Sequence, residues 1–368
     1  MVFDFLLSVS SLGRTQGQVR TLDARALCTS TRGLTGTEVT AFGLAHALVR
    51  LDHEVRFYTC WKTEEDLVPG LSAYQIEGGP VGDEFAAVAV AFHDASPLAG
   101  WPACVRLCWH QTVQPPHSDR MAHEPVDAYI SSTGVNAQHL SKLTPAIPWY
   151  TVSNGWDYGV YPEARAVPGR IFYHTSAERG LHLLLKAYPL IRQRVHKAHL
   201  VVYTRLETVQ QHHRDLWYEI EDEMGQPGMS LELHPNGASR NVVLEALSRA
   251  QVLAYPSEPD MPCEVMPLSV MEACALGVPV VTAPSDGFEL AFDHALDVCP
   301  SPPSAHLETF VEHIVAVLTS YQWRHDLGRR GKQWARSHRF AGTAKQFLAV
   351  VDSVLRQKEG ACSIDLDV

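Results

Sequence analysis

Two carboxylates, Glu264 and Glu272, sit where the local sequence could turn them into ligand-reading groups. A buried strand ends at Tyr255-Pro256-Ser257, the chain loops to Glu264, and a helix is predicted over Leu268–Leu276. Pro267 has the fixed φ of a first helical residue, Gly277 can take the left-handed position after the last turn, and Pro279 stops any continuation. Glu264 then lies at a strand's carboxyl end just before a helix start, and Glu272 lies in the second turn of that helix. The backbone N–H groups of roughly Met266 to Ser269 have no partner inside the helix, so they can hold phosphate without a metal. An acid beside them can accept hydrogen bonds from sugar hydroxyls, and the second acid can do so from a ribose.

Such residues need a scaffold that brings strand ends to one crevice. Nearly continuous apolar runs recur along the chain: Leu22–Ser30, Glu54–Cys60, Phe85–Phe92, Val105–Trp109 and Val126–Ser131. Apolar spacing through Val39, Phe42, Leu44, Ala45 and Leu48 predicts a helix over Thr37–Leu51. After a Gly-, Asn- and Pro-bearing stretch between Val152 and Pro168 the pattern restarts. Strands are expected at Arg170–Tyr173, His199–Tyr203, Gln251–Tyr255 and Val278–Ala283, and helices at Leu181–Val195, Asn241–Arg249, Leu307–Leu318 and Gly342–Gln357. Strands apolar on both faces and separated by helices indicate parallel sheets covered on both sides, which bind ligands beyond the carboxyl ends of their strands. The segment from Met1 through Arg20 fits no element.

A chain of 368 residues suits two domains at roughly 150 residues each. The boundaries fall at 1–153 and 154–340, with a C-terminal helix and tail over 341–368 that can pack back on the first domain. The net charge of -11 argues against nucleic acid, because phosphate neutralisation needs clustered cations. The one basic run, Arg329-Arg330-Gly331-Lys332, reads as a solvated helix face. Eight dispersed cysteines with no C-x-x-C pair suit free thiols in a reducing compartment rather than zinc ligands. No apolar run approaches the roughly 20 residues of a membrane helix. The opening segment carries an acid where a signal peptide has a positive charge, so the expected location is cytoplasmic, with peripheral membrane contact left open.

Glu264-Val-Met-Pro-Leu-Ser-Val-Met-Glu272 resembles the E-x7-E signature of retaining glycosyltransferases of the GT-B fold. The continuation Ala273-Cys274-Ala275-Leu276-Gly277-Val278-Pro279-Val280-Val281 is similar to the stretch that follows it in family 4. The resemblance implies an α/β fold of two Rossmann-like α/β/α domains facing across a cleft, with acceptor binding in the first and donor binding in the second. It implies that Glu264 contacts the donor hexose, that Glu272 binds the ribose, and that backbone groups of Val265, Met266, Pro267 and Leu268 hold the diphosphate. Tyr173-His174-Thr175-Ser176-Ala177-Glu178-Arg179-Gly180 resembles the family's strand-loop-helix with a basic residue before Gly, so Arg179 would contact the diphosphate. The loop departs from the commonest pattern in lacking a second Arg after the strand, which leaves Thr175 or Ser176 for the phosphate. Asn236-Gly237 matches the family's base-binding loop and equally suits a plain turn.

In the first half, Gly36-Thr37-Glu38, with Gly33 before it, resembles the family's glycine-rich acceptor or phosphate loop. Cys108-Trp109-His110 resembles its active-site histidine position, where His110 would hydrogen-bond the donor sugar; a structural histidine satisfied by backbone is the competing reading. Asn154-Gly155-Trp156-Asp157 resembles the domain-junction motif, with Asn154 and Gly155 as hinge elements. The implied reaction is hexosyl transfer from a nucleotide-diphosphate sugar to a hydroxyl of a glycan, lipid-linked or small-molecule acceptor, with retention, no cofactor and no metal. A nucleotide-sugar epimerase or hydrolase of the same fold is the alternative. A dinucleotide oxidoreductase would require a G-x-G-x-x-G turn, and none is present.

Overall fold

The computed structural model describes residues 1–7, 36–59, 65–76, 79–81, 85–112, 121–156, 164–227, 229, 231–235, 238–257, 265–285 and 288–364. Gly33, Asn236, Gly237, Glu264 and the predicted strand Leu22–Ser30 lie outside them. The chain divides into two compact units. One contains the described residues up to Trp156 and those from His338 onward; the other contains those between.

The first unit is built on an eight-stranded sheet of β1 (Val2–Leu7), β2 (Glu54–Thr59), β3 (Glu65–Val68), β4 (Leu71–Gln75), β5 (Ala86–Phe92), β6 (Ala103–His110), β7 (Ala128–Ser131) and β8 (Trp149–Thr151). Their order is β3-β4-β2-β1-β5-β6-β7-β8, parallel except where β3 meets β4. Helices α1 (Gly36–Val49) and α2 (Gly134–Ser141) belong to this unit. The opening residues, which the sequence pattern leaves unassigned, are therefore a central strand. The charge that hides β1 is Asp4, in register with Arg56 of β2. Asp4 is fully buried and accepts from Arg56 Nε at 2.6 Å and from Trp101 Nε1 at 2.9 Å. Burial pushes its pKa up against the opposing pull of those two donors. A buried carboxylate is tolerated where both oxygens are paired.

The C-terminal helix, Phe340–Ile364, returns to this unit. Its Phe347 ring lies 5.9 Å from Phe3, 6.4 Å from Phe5 and 6.3 Å from Trp109, the last stacked at 10°. Truncating a buried aromatic at such a junction costs about 3–5 kcal/mol. Thr343 Oγ1 donates to Ser153 O at 3.0 Å, and Lys358 Nζ donates to Cys104 O at 2.8 Å.

The second unit carries a wholly parallel six-stranded sheet of β9 (Arg170–His174), β10 (His199–Tyr203), β11 (Leu231–His234), β12 (Val252–Tyr255), β13 (Val280–Thr282) and β14 (Asp297–Val298). The order is β11-β10-β9-β12-β13-β14, so the winding reverses between β9 and β12. Open sheets of this kind place ligands beyond the strand ends at the reversal. The helices are α3 (Leu181–Arg194), α4 (Leu206–His212), α5 (Arg214–Gly225), α6 (Arg240–Ser248), α7 (Leu268–Leu276), α8 (Leu307–Thr319) and α9 (Tyr321–Ser337). Leu181, Leu184, Leu185, Tyr188 and Ile191 line the buried face of α3 and pack with Phe310 and Ile314 of α8. The basic run lies in α9, with Arg329 and Lys332 exposed.

Candidate functional site

Helix α7 begins one residue later than the proline suggests. Pro267 is its cap, with φ -68° and ψ 123°, so the ring fixes φ while ψ remains extended and Leu268 is the first helical residue. Gly277 closes the helix in the left-handed region at φ 74°. Val265, Met266 and Pro267 are buried, and Leu268 is half-buried. Two glycines of α9 let it lie directly on α7: a Cβ at Gly328 would come within 2.4 Å of Gly277 O, and one at Gly331 within 3.2 Å of Cys274 Cα.

Glu272 is only 1% exposed. Its Oε1 forms an ion pair with Nη2 of Arg240, whose side chain is 10% exposed and which is the first residue of α6. Sequence reasoning did not single out Arg240; it follows a turn, and nothing local distinguishes it from a solvated helix-start residue. Its neighbour His174 ends β9, with a pKa held down at about 4 by burial and, secondarily, by the Arg240 charge.

Beyond His174 the chain makes the turn that carries Thr175, Ser176 and Arg179. Tyr173 anchors it by donating from its hydroxyl to Ser176 O at 2.7 Å. Arg179 Nη1 donates to Thr175 Oγ1 at 3.3 Å, Thr204 Oγ1 donates to Thr175 O at 2.8 Å, and the Thr175 and Tyr255 hydroxyls meet at 3.5 Å. Gly180 then caps α3 at φ 89°, and a Cβ there would stand 2.4 Å from Pro256 O. Only glycine satisfies both the positive φ and that close approach. The structure thus brings Thr175, Ser176 and Arg179 together at the β9/β12 reversal, with Arg240 beside His174 and Glu272 held by Arg240. Glu264, Asn236 and Gly237 fall outside the described residues.

In the first unit, Gly36 is exposed at the start of α1 while Thr37 and Glu38 are buried. Thr37 Oγ1 lies 2.6 Å from Nε2 of His93, a second residue the sequence reading passed over. His93 follows β5, which flanks the β1/β5 reversal of this sheet, and has φ 65°. A histidine after a buried apolar strand was the available signal. A positive φ in a non-glycine residue is strain that clusters at functional sites.

His110 ends β6 and is buried, with its ring stacked on Trp149 at 5.8 Å and tilted against Tyr129 at 5.3 Å. Its Nε2 stands 3.6 Å from Cys108 Sγ, and no hydrogen-bond partner among the described residues meets Nδ1. The backbone-satisfied alternative for this imidazole is therefore not what the structure holds. Burial brings the His110 pKa down to about 3, with His93 adding to the effect and Asp94 opposing it; burial brings His93 to about 4. Both are neutral imidazoles at neutral pH, each able to donate one hydrogen bond and accept another.

Asn154 is buried and accepts from Ser132 Oγ at 2.9 Å. A Cβ on Gly155 would meet Phe340 N and Cα at 2.6 Å, and Trp156 bridges to Arg339. These positions are packing sites where two stretches of the first unit meet.

Residues 171–334 match the family model for glycosyl transferases group 1. No curated protein matches the chain in sequence. Among solved structures, sucrose-phosphate synthase from Thermosynechococcus elongatus superposes with a TM-score of 0.69 at 13% identity, over 98% of this chain and 99% of that one. Trehalose-6-phosphate synthase OtsA gives 0.70 at 11% identity over 96% and 99%. A trehalose-6-phosphate synthase studied for glycosyl transfer with retention gives 0.65 at 10% identity over 95% and 99%. The second unit thus matches the model for glycosyl transferases group 1, and the chain as a whole has the GT-B fold that these synthases share.

Proposed function

We propose that the chain transfers a hexosyl unit from a nucleotide-diphosphate sugar to an acceptor hydroxyl, with retention of anomeric configuration and without a metal. The observation that carries this is Arg179, bonded to Thr175 in the turn that follows β9. In a chain of net charge -11, a fixed cation at a sheet's winding reversal suits a diphosphate. It stabilises the charge that develops on a departing nucleoside diphosphate, the task a metal performs elsewhere. Glu272, buried near that edge, reads the ribose, and Glu264 the hexose. Neutral His110 supplies a hydrogen bond to the transferred sugar. Retention is supported by the likeness to a synthase described for that outcome.

The acceptor is a sugar or lipid-linked hydroxyl. No helix among the described residues is long and apolar enough to cross a membrane. Cys104, Cys108, Cys274 and Cys299 are free thiols, which fits the cytoplasm.

The test is a thermal-shift series on the purified protein with EDTA present, using UDP, GDP, ADP, their hexose conjugates, NAD and NADP. A ligand that binds the folded state raises the melting temperature. A rise with one nucleoside diphosphate and its sugar supports the reading. A rise only with NAD or NADP, or only after a divalent metal is added, overturns its donor part or its metal-free part respectively. Donor turnover that needs no acceptor would favour the epimerase or hydrolase alternative.

A further inference from the structure

The donor edge of the second unit contains a charge pair that the proposed roles leave unexplained. Glu272 sits in the second turn of α7, almost fully buried, and its Oε1 faces the guanidinium of Arg240 at the start of α6. Arg240 is itself largely buried and lies beside His174, whose imidazole is uncharged. A carboxylate desolvated to this degree needs a cation, and a guanidinium fixes its orientation better than an ammonium because the fork is planar and rigid. Pairing at Oε1 leaves Oε2 as the oxygen that can take a ligand hydroxyl.

We propose that Arg240 is a positioning residue that sets ribose selectivity: it holds the Glu272 carboxylate rotated so that Oε2 meets the ribose 2′ and 3′ hydroxyls. This rests on the donor reading given above and extends it from which carboxylate reads the ribose to what fixes that carboxylate. Lysine at 240 keeps the charge and loses the fork, so it separates orientation from simple neutralisation.

The experiment measures affinity for the nucleoside diphosphate that the wild-type protein binds and for its 2′,3′-dideoxy counterpart. The proteins are wild type, Arg240→Lys, Glu272→Gln and the Arg240→Lys/Glu272→Gln double variant. A hydrogen bond to a charged group corresponds to about 10-fold or more in affinity, so wild type prefers the ribonucleotide by at least about that factor. Arg240→Lys is expected to bring that preference to within about 2-fold while leaving dideoxynucleotide affinity and the ligand-free melting temperature close to wild type. The double variant is expected to discriminate no less than Glu272→Gln alone, since both changes remove one contact.

Unchanged preference in Arg240→Lys overturns the inference and leaves the donor reading standing. An equal loss for both nucleotides also overturns it, by making Arg240 a phosphate ligand or a purely structural residue. If wild type binds no nucleoside diphosphate at all, the donor reading itself falls.

Discussion

The two sheets reverse their winding at comparable places, yet the side chains at those places differ in kind. Near the β1/β5 reversal the first unit presents a hydroxyl and two uncharged imidazoles: Thr37, His93 and, one strand over, His110. Beside the β9/β12 reversal the second unit presents Arg179 and Arg240 with Glu272. The first edge can exchange hydrogen bonds with neutral hydroxyls at neutral pH; the second is built to hold formal charge. Topology fixes where a ligand can sit, and the residues at the strand ends decide what kind.

The sharpest way to break this contrast is at Glu272. Glu272→Ala removes the ion-pair partner of the largely buried Arg240, so a loss of about 3 kcal/mol in stability is expected, read by urea denaturation, together with loss of nucleotide binding. If nucleotide affinity survives in the folded fraction, the second edge does not hold the charged ligand. Glu264→Ala, by comparison, is expected to spare nucleoside diphosphate affinity and impair turnover of the sugar conjugate.

His110→Ala probes the opposite edge. Turnover is expected to fall about 100-fold, as for removal of one positioned hydrogen-bond donor, with nucleoside diphosphate affinity within about 2-fold of wild type. A parallel loss of nucleotide affinity in steady-state and binding assays would erase the division of labour.

Acid sharpens the contrast further. His93, His110 and His174 have folded pKa values of about 4, 3 and 4, below the ordinary value near 6.5. As pH falls through about 6.5 the unfolded chain takes up protons that the folded one refuses. Stability present above that pH is therefore lost at about 1.4 kcal/mol per pH unit for each histidine, down to its folded pKa. Two of the three lie in the first unit, so a His93→Gln/His110→Gln variant should lose stability less steeply between pH 6.5 and 4.5 than His174→Gln does, in melting curves taken across that range. Equal slopes would mean that these imidazoles are not held neutral as the structure shows.

The smallest effect is expected from Thr37→Val, which removes the 2.6 Å contact to His93. A loss of about 1 kcal/mol is expected, with turnover changing more than nucleotide affinity. A gain in stability would show that the hydroxyl is not a partner of His93.

Much of the scaffold is legible in the chain because it depends on local rules. Helix α7 and strand β10 match their expected bounds, and Gly277 adopts the left-handed conformation its position implied. Apolar runs identify parallel strands because both faces are covered. The opening strand β1 escaped that rule, since Asp4 interrupts the run and its partners Arg56 and Trp101 lie far along the sequence. Helices α4 and α5 were also unassigned, and α9 was legible only as the solvated helix face of its basic run; α9 is amphipathic but charge-rich, and its seat on α7 depends on Gly328 and Gly331 rather than on an apolar stripe.

Of the candidate residues, the sequence determined those that lie near one another along the chain: Thr175, Ser176 and Arg179 share one turn because strand, loop and helix start follow directly. It also placed Glu272 on its helix and His110 at a strand end. Only the tertiary structure supplied Arg240 as the partner of Glu272 and His93 as the partner of Thr37, separated from them by 32 and 56 positions. Periodicity and turn chemistry act over a few residues, whereas these pairs form because parallel strands and their helices bring distant segments to one edge, where buried polar groups must find a partner.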